Sequence, residues 1–369
     1  NSLFIIVQRF EKVNREPGMD VPNIFFVGWV PSGDKFQGEV TMREDLQILR
    51  GLPGVQAATV VNAVPLSGGG SSTSMFTEPG EKGRRGDMNY FQVDEHGLET
   101  FGTRLAEGRN FDATIVTMPP KNSSTSPSGI LVTRDVAKEM FPDESALGKT
   151  IYTGTSQPVT ILGIIEHMHG SWPGWDKVGN VALFPVITDE TYARYMVRAR
   201  PGQRDAMMKM AEEALGKVDN GRVILRVRSL EYIAASSYAE DRAMALYLAV
   251  VIALLLGISA LGIFGLAAFN VSTRTKQIGT RRAVGARRTD ILQYFLAENW
   301  LITSLGVVLG CVLALLLGYW LSTTFELPRL KLYYLVIGVV GLWIVSLAAA
   351  LRPARRASMV SPAIATRTV

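Results

Sequence analysis

The sequence predicts an α+β membrane protein, in which an extracytoplasmic α/β region of two subdomains stands on a bundle of transmembrane helices. The first observation is uneven charge: from Ala243 onward the chain has 12 Lys and Arg against 3 Asp and Glu, whereas residues 1–242 have 26 against 30. The second is that the basic part contains three long runs without a charged residue. The third is that residues 24–242 alternate between helical and strand patterns.

The three charge-free runs are long enough to cross a bilayer, whose hydrocarbon core needs about 20 apolar residues in a helix. They are Ala243–Thr273, Asn299–Phe325 and Leu332–Leu351, with 31, 27 and 20 residues. Buried core helices of a soluble protein are the alternative, but such helices are shorter and keep a polar face. We therefore predict transmembrane helices over residues 243–273, 295–322 and 332–351.

The first residues, "NSLFIIVQRF", form a short apolar piece that ends at Arg9. This piece is too short to span a bilayer, and it has neither the basic start nor the small-residue cleavage site of a signal peptide. We expect residues 1–9 to be the outer end of a first transmembrane helix, which adds to the three full helices. A buried N-terminal strand is the alternative.

Lys and Arg in short loops mark the cytoplasmic side of a membrane protein. Residues 274–293 contain six of them, and the tail over residues 352–369 has four Arg and no acidic residue. Both segments are therefore predicted to be cytoplasmic. The connection over residues 323–331 is short and of mixed charge, which places it and residues 10–242 on the outer side.

The first charge-free run is longer than a membrane requires. Its 31 residues would cover about 46 Å as a helix, against a hydrocarbon core of roughly 30 Å. The preceding residues, "SLEYIAASSYAEDRAM", also have a helical pattern. We predict one continuous helix that leaves the bilayer as a stalk.

The outer region contains two helix–strand units that are far apart in the sequence. Helical residues 43–55 precede a strand over 56–64, and helical residues 202–218 lie between strands over 195–200 and 221–230. Such a pair predicts a split βαβ subdomain. The intervening residues predict a β-rich insertion, with strands over 129–133, 150–154, 159–167 and 181–186.

Two polar segments of the outer region are predicted to be mobile loops. They are residues 67–87 and 117–129, and both are rich in Gly, Ser and Pro. Clusters of these residues favour turns and irregular structure over regular strands.

Two stretches are similar to nucleotide-binding motifs, but neither is complete. The stretch "DESALGKT" has Asp143 where a phosphate loop needs Gly, and a carboxylate there would face the phosphates. The stretch "LSGGG", residues 66–70, is similar to the signature of ABC ATPases but lies in the outer region without a phosphate loop. We predict that this chain binds no nucleotide or other cofactor itself.

A pair of histidines is the remaining candidate for site chemistry. On a strand, His167 and His169 would point to the same side and could share a metal, but the nearest third histidine in sequence, His96, is distant. We expect these to be ordinary surface or loop histidines. With no Ser–His–Asp set evident from spacing, we predict no catalytic residue and no metal site.

The basic strip between the first two full helices has an ordered pattern, "RTKQIGTRRAVGARRTDIL". It resembles the cytoplasmic loop of the FtsX/MacB-like ABC transporter permeases, which has the form R-T-R-E-I-G-x-R-[KR]-A-x-G-A-x-[RK]. The residues that we assign to it are Arg274, Lys276, Gln277, Ile278, Gly279, Arg281, Arg282, Ala283, Gly285, Ala286, Arg287 and Arg288. The family usually has Glu at the position of Gln277, so we expect the partner surface to differ there.

The resemblance extends over nearly the whole chain. The tail "LRPARRASMVSPAIATR" is similar to the family's ending, and "FGTRLAEGRNF" and "DVAKEMFPDESALGKTI" are similar to its periplasmic segments. It implies a periplasmic MacB-like core domain over residues 10–242 and an FtsX-like permease domain over residues 243–369, with a cytoplasmic coupling loop at 274–293. It also implies a bacterial inner-membrane location.

The same resemblance implies the partners and the mechanism. The coupling loop would dock on a cytoplasmic ABC ATPase, a separate polypeptide that binds the ATP. A second permease copy, membrane lipid, and a periplasmic adaptor with an outer-membrane channel complete the expected partners. Nucleic acid is not expected, because a short basic loop at a membrane suits anionic lipid or protein better.

Two functions agree with this resemblance. In the first, ATP-driven motion passes through the helices to the periplasmic domain and exports a substrate. In the second, an FtsX-like regulatory subunit activates a periplasmic or cell-wall enzyme without transporting cargo. A membrane receptor without an ATPase is disfavoured by the coupling-loop pattern.

Overall fold

The computed structural model describes residues 15–33, 35–118, 126–187, 193–324 and 332–361. The chain divides into two compact units, which meet in sequence between Glu240 and Asp241. The predicted helix end over residues 1–9 lies outside the described residues, as does most of the connection over residues 323–331.

Eleven strands and nine α-helices make up the described residues. The strands are β1 (Ile24–Pro31), β2 (Val55–Val61), β3 (Ser72–Glu78), β4 (Lys82–Val93), β5 (Leu105–Gly108), β6 (Gly129–Thr133), β7 (Thr150–Thr153), β8 (Pro158–Ile165), β9 (Val181–Pro185), β10 (Arg194–Ala199) and β11 (Arg222–Ser229). The helices are α1 (Glu39–Arg50), α2 (Gly97–Phe101), α3 (Arg134–Met140), α4 (Arg204–Gly216), α5 (Leu230–Ser237), α6 (Ala239–Thr273), α7 (Thr275–Ala283), α8 (Arg288–Thr324) and α9 (Leu332–Ser358).

The predicted split βαβ subdomain is confirmed. Four strands form an antiparallel sheet in the order β11-β1-β10-β2, so β10 lies between the two strands that α1 connects. Alternate residues of β1 face opposite sides: Phe25, Val27 and Trp29 pack with the helices, whereas Ile24 and Phe26 belong to the core on the other face. Both α1 and α4 bury apolar residues toward the sheet at helical spacing.

A buried polar network fixes α1 to this sheet. The carboxylate of Asp45 accepts a hydrogen bond from Arg222 Nη2 at 2.9 Å and another from the Tyr195 hydroxyl at 2.8 Å. Burial, followed by the charge of Asp45, raises the pKa of Tyr195 well above its usual value. Because both charged side chains are excluded from water, removing either one would leave the other unpaired at high cost.

The predicted β-rich insertion is also confirmed, as a sheet in the order β5-β8-β6-β9-β4-β3-β7. Because β7 pairs with β8 as well, six strands close into a ring and β5 extends from it. Apolar side chains such as Ile130, Val132 and Ile161 fill a core of its own, as in other small barrels.

The prediction of a mobile loop over residues 67–87 is wrong. Most of this segment belongs to the hairpin of β3 and β4, which buries Met75 and Phe76. The turn is made by Gly80 and Glu81, which have φ angles of 77° and 59°. The polar composition reflects the exposed tip of the hairpin, where residues 78–85 are all exposed. Of the other predicted loop, the central residues 119–125 lie outside the described residues.

Three helices are long and apolar enough to cross a membrane by length and composition, as predicted: they lie within Leu230–Thr273, Arg288–Trp320 and Tyr333–Ser358. The second begins seven residues before the predicted start at 295, because its first turns carry charge on one side while burying Ile291 and Phe295. The third continues beyond 351 to Ser358. In the first, Tyr238 alone interrupts the helical residues between α5 and α6.

The two histidines of residues 166–172 lie together, with ring centroids 4.9 Å apart. The ring of His167 bonds the backbone oxygen of Glu16 at 2.8 Å. The ring of His169 is buried, and its Nδ1 has no hydrogen-bond partner among the described residues. Burial, followed by the charges of His167 and Arg15, lowers the pKa of His169 to about 4. Within the described ranges, no three His, Cys, Asp or Glu residues are placed to hold a metal ion.

Acidification should destabilise the outer unit through His169. The pKa of His169 is about 4 in the folded protein, below the ordinary 6.5. Between pH 6.5 and pH 4, this histidine is therefore protonated in the unfolded chain but neutral in the folded protein. Lowering the pH from 7.5 to 5 should lower the free energy of unfolding by about 2 kcal/mol. We expect His169→Gln to remove this dependence in urea unfolding followed by tryptophan fluorescence. The partly exposed His96, changed to Gln, is the matched control because it is not among the groups that shift His169. Equal pH slopes for wild type and His169→Gln would contradict the assignment.

Candidate functional site

The basic strip folds into a short helix, α7, followed by a turn. Gly285 has a φ of 107°, a backbone conformation that an L side chain strains, and it lies in the turn just after α7. The carboxylate of Asp290 accepts a hydrogen bond from the backbone nitrogen of Arg287 at 2.9 Å and so caps the start of α8. The single acidic residue of the strip therefore has a local structural role.

The strip is held against the ends of α8 and α9 by an apolar cluster around Ile278. This side chain is 4% exposed and packs in a cluster with Phe295 of α8 and with Ala354 and Ala357 of α9. Gly279 beside it is also buried. Small alanines on α9 let the backbone of α7 come close, so Ile278 fixes the helix in one orientation.

Polar contacts secure the two ends of α7. Nη1 of Arg274 lies 3.1 Å from each carboxylate oxygen of Glu298 on α8. The guanidinium of Arg281 lies over the ring of Tyr294, 4.9 Å from its centroid. Nη1 of Arg282 is 3.4 Å from the backbone oxygen of Ser358 at the end of α9. Three of the six basic residues therefore contact the bundle.

The twelve predicted residues divide into two groups. Those turned toward the bundle, wholly or in part, are Arg274, Ile278, Gly279, Arg282 and Ala286. Those exposed to solvent are Lys276, Gln277, Arg281, Ala283, Gly285, Arg287 and Arg288. The structure thus brings the strip together as one helix-and-turn surface, rather than as a uniformly solvated loop.

An exposed apolar residue that the sequence assignment left out lies at the tip of this surface. Val284 is 84% exposed, between Arg281 and the pair Arg287–Arg288. Among the described residues, only Arg274 of the six basic residues has an ion pair with a carboxylate. We call Lys276, Arg281, Val284, Arg287 and Arg288 the docking surface. Its chemistry, an apolar centre with unpaired positive charge, suits a partner with an acidic rim and an apolar pocket.

These features define a membrane protein with a large α/β unit and a helical bundle that carries a fixed basic helix. The chain belongs to the MacB/FtsX-like permeases of ABC transporters. Residues 2–215 match the MacB-like periplasmic core domain family, and residues 249–362 match the FtsX-like permease C-terminal family. It is therefore a membrane protein with a periplasmic domain.

The chain is similar to proteins named macrolide export ATP-binding/permease protein MacB. It is 26% identical to that of Chromobacterium violaceum over 61% of this chain and 34% of the relative. It is 27% identical to that of Bradyrhizobium diazoefficiens over 76% of this chain and 42% of the relative. The chain thus spans well under half the length of these relatives.

Two solved structures are also similar. The periplasmic region of MacB from Actinobacillus actinomycetemcomitans has a TM-score of 0.36 and 14% identity, over 61% of this chain and 97% of that one. The extracellular domain of the transporter YknZ from Gram-positive bacteria has a TM-score of 0.36 and 15% identity, over 55% of this chain and 100% of that one.

The different burial of Ile278 and Val284 predicts opposite responses to the same truncation. Ile278→Ala should remove about 2–4 kcal/mol of packing and raise amide hydrogen exchange over residues 275–283 at least about tenfold. Val284→Ala should leave exchange unchanged, because its side chain has almost no packing to lose. Both variants would be compared as the full chain in lipid nanodiscs. Unchanged exchange in Ile278→Ala would show that the cluster does not hold α7.

Proposed function

We propose that this chain is the permease subunit of an ABC transporter that couples ATP hydrolysis by a separate ATPase to motion of its periplasmic domain and to export of a substrate. The observation that carries the proposal is the docking surface: α7 is fixed to the bundle on one side by Ile278 and exposes Val284 among unpaired basic residues on the other. A helix that is fixed to the bundle can transmit a displacement to the bundle, whereas a solvated loop would change its own conformation instead.

The contacts between helices support transmission beyond α7. In the bundle, Nδ2 of Asn299 on α8 donates a hydrogen bond to the hydroxyl of Ser346 on α9 at 2.8 Å. The hydroxyl of Thr303 is 2.6 Å from the same Ser346 oxygen. These bonds lie within helices that we propose to be membrane-embedded, where water cannot compete for them. Displacement of α7 would therefore move α8 and α9 together.

The ATP-binding component is proposed to be a separate polypeptide. The similar MacB proteins carry ATP-binding and permease in their names. The stretches "DESALGKT" and "LSGGG" of this chain are both incomplete as nucleotide-binding motifs. A partner that recognises the docking surface would bring the ATP site to the cytoplasmic end of the bundle.

The other partners follow from the same proposal. We place the chain in the bacterial inner membrane, with residues 10–242 in the periplasm and residues 243–369 as the permease domain. Two permease copies would receive the motion of two ATPase subunits. A periplasmic adaptor and an outer-membrane channel would carry the exported substrate onward, and membrane lipid would surround the helices.

A regulatory role is the second proposed function, because the permease part matches the FtsX-like family. In that role the same docking surface would receive ATPase motion, and the periplasmic domain would activate an outer enzyme without cargo. Deletion of the chain separates the two: altered tolerance to macrolides or peptides indicates export, whereas altered cell-wall turnover indicates regulation.

Charge reversal on the docking surface should detach the ATPase. We expect Arg281→Glu with Arg288→Glu to reduce ATPase recovered with the purified chain at least about tenfold, because like charges would then face an acidic partner. Val284→Asp should act in the same direction. The matched control is Arg355→Glu with Arg356→Glu, which reverses two exposed charges on the last turns of α9. Full ATPase recovery with the docking-surface variants would contradict the assignment, provided that membrane insertion is intact.

The orientation can be tested with an impermeant thiol reagent. Ser126→Cys, at the edge of the 117–129 segment, should react in intact spheroplasts, whereas Thr289→Cys on the cytoplasmic strip should react only after the membrane is opened. The background is low because Cys311, inside a charge-free run, is the one native cysteine. The reverse pattern of labelling would invert the proposed topology.

A further inference from the structure

Two arginines of the outer domain flank a glycine on the four-stranded sheet. Gly28 of β1 lies directly opposite Arg194 of β10 on one side and Arg226 of β11 on the other. Side chains of directly opposed residues in an antiparallel sheet project from the same face. The side chains of Arg194 and Arg226 therefore project from the same face of the sheet, the face toward which a side chain at position 28 would point.

The missing side chain gives Arg226 room to lean across the sheet. A Cβ atom at Gly28 would lie 3.3 Å from Cγ of Arg226 and 3.7 Å from its Nε. The face concerned is the one that also carries Ile24 and Phe26, away from α1 and α4. Gly28 thus leaves a gap in this face of the sheet between the register positions of Arg194 and Arg226.

Neither arginine of this gap has a carboxylate partner among the residues that the structure describes. By contrast, Arg198 of β10 bonds Asp20 at 2.8 Å, and Arg222 of β11 is paired with Asp45. Arg194 is half-buried, and its Nη1 donates a hydrogen bond to the backbone oxygen of Ala193 at 2.6 Å.

The two positive charges of the gap act on each other. Burial, followed by the charge of Arg226, lowers the pKa of Arg194 from its usual value. Arg194 is half-buried and Arg226 is exposed. Two like charges close together repel each other, and an anion bound between them would offset that repulsion. An anion bound between Arg194 and Arg226 would therefore interact favourably with both positive charges.

We propose that Arg194 and Arg226, with Gly28 between them, form a site on the outer domain that binds a phosphate-type oxyanion. Each guanidinium group has paired N–H donors that can bind two oxygens of such an anion. The guanidinium groups of Arg194 and Arg226 could therefore bind one anion from opposite sides. The phosphate group would belong to a soluble ion or compound, or to a lipid headgroup. The site is independent of the docking surface and of the proposed ATPase.

The test uses the full chain in phosphatidylcholine nanodiscs with inorganic phosphate as the probe, measured by broadening of its phosphorus NMR signal. Wild type should bind phosphate saturably. Arg194→Gln and Arg226→Gln should each weaken binding at least about tenfold, because each removes a charged hydrogen-bond donor. Gly28→Ala should also weaken binding by displacing Arg226.

The matched control is Arg228→Gln, two residues along the same strand. The guanidinium of Arg228 stacks on the ring of Tyr232, 5.0 Å from its centroid, and lies outside the gap. It should leave phosphate binding unchanged. Equal loss in this variant would show that general positive charge, rather than the pair around Gly28, attracts the anion.

Thermal unfolding gives a second, independent measurement. Phosphate should raise the unfolding midpoint of the wild-type outer domain, followed through tryptophan fluorescence, but not that of Arg226→Gln. Without phosphate, Arg226→Gln should be at least as stable as wild type, because the repulsion is relieved. An absence of saturable phosphate binding to wild type, or equal binding by the Arg194→Gln/Arg226→Gln double variant, would overturn the site.

Lipid composition identifies the source of the phosphate group. If nanodiscs of phosphatidylglycerol abolish binding of free phosphate to wild type, the site is occupied by a lipid headgroup. If binding is the same in both lipids, the site takes a soluble phosphate. Either result supports the site and assigns its ligand.

Discussion

Burial of one isoleucine within a strongly basic strip fixes the structure at one end of the helical bundle. Without the Ile278 cluster, six positive charges between two apolar helices would favour a solvated loop. With it, α7 lies against α8 and α9, and the neighbouring residues have fixed directions. The contact between Arg274 and Glu298 and the stacking of Arg281 on Tyr294 follow from that placement. Val284 directly follows α7, in the turn, and its side chain is exposed there.

The outer domain depends on a similar principle with different chemistry. There the buried pair of Asp45 and Arg222, joined by Tyr195, fixes a helix to a sheet through directional bonds. The same sheet leaves Arg194 and Arg226 without a carboxylate among the described residues. Arg198 and Arg222, which are paired with carboxylates, hold the fold together, whereas Arg194 and Arg226 flank a glycine and are available to a ligand.

Much of the architecture could be predicted because its signals are local. Charge-free runs of 20 or more residues give the apolar helices, and helical spacing with flanking Gly gives α1 and α4. The hairpin of β3 and β4 was missed because its exposed tip, residues 78–85, has the composition of a loop. The start of α8 was missed because a search for charge-free residues excludes an amphipathic first turn.

The candidate site was predictable as a segment but not as a surface. The order of basic residues marks the strip, yet nothing in it distinguishes Ile278 from Val284, since both are aliphatic residues among arginines. Their difference comes from Ala354 and Ala357, about 75 residues away in sequence. The pairing of Arg194 with Arg226 across Gly28 is likewise a matter of strand register, which joins three distant segments. Local sequence patterns do not predict long-range contacts of this kind.

In the proposed function, the turn after α7 presents Val284 to an ATPase, whereas Ile278 of α7 is turned toward the bundle. Placing a photo-crosslinking amino acid at each position in turn, in living cells, tests it most directly. The account predicts a crosslinked product at position 284 that contains an ABC ATPase by mass spectrometry, and no such product at position 278. An absence of the ATPase from the product at 284, with the protein inserted and folded, would contradict it.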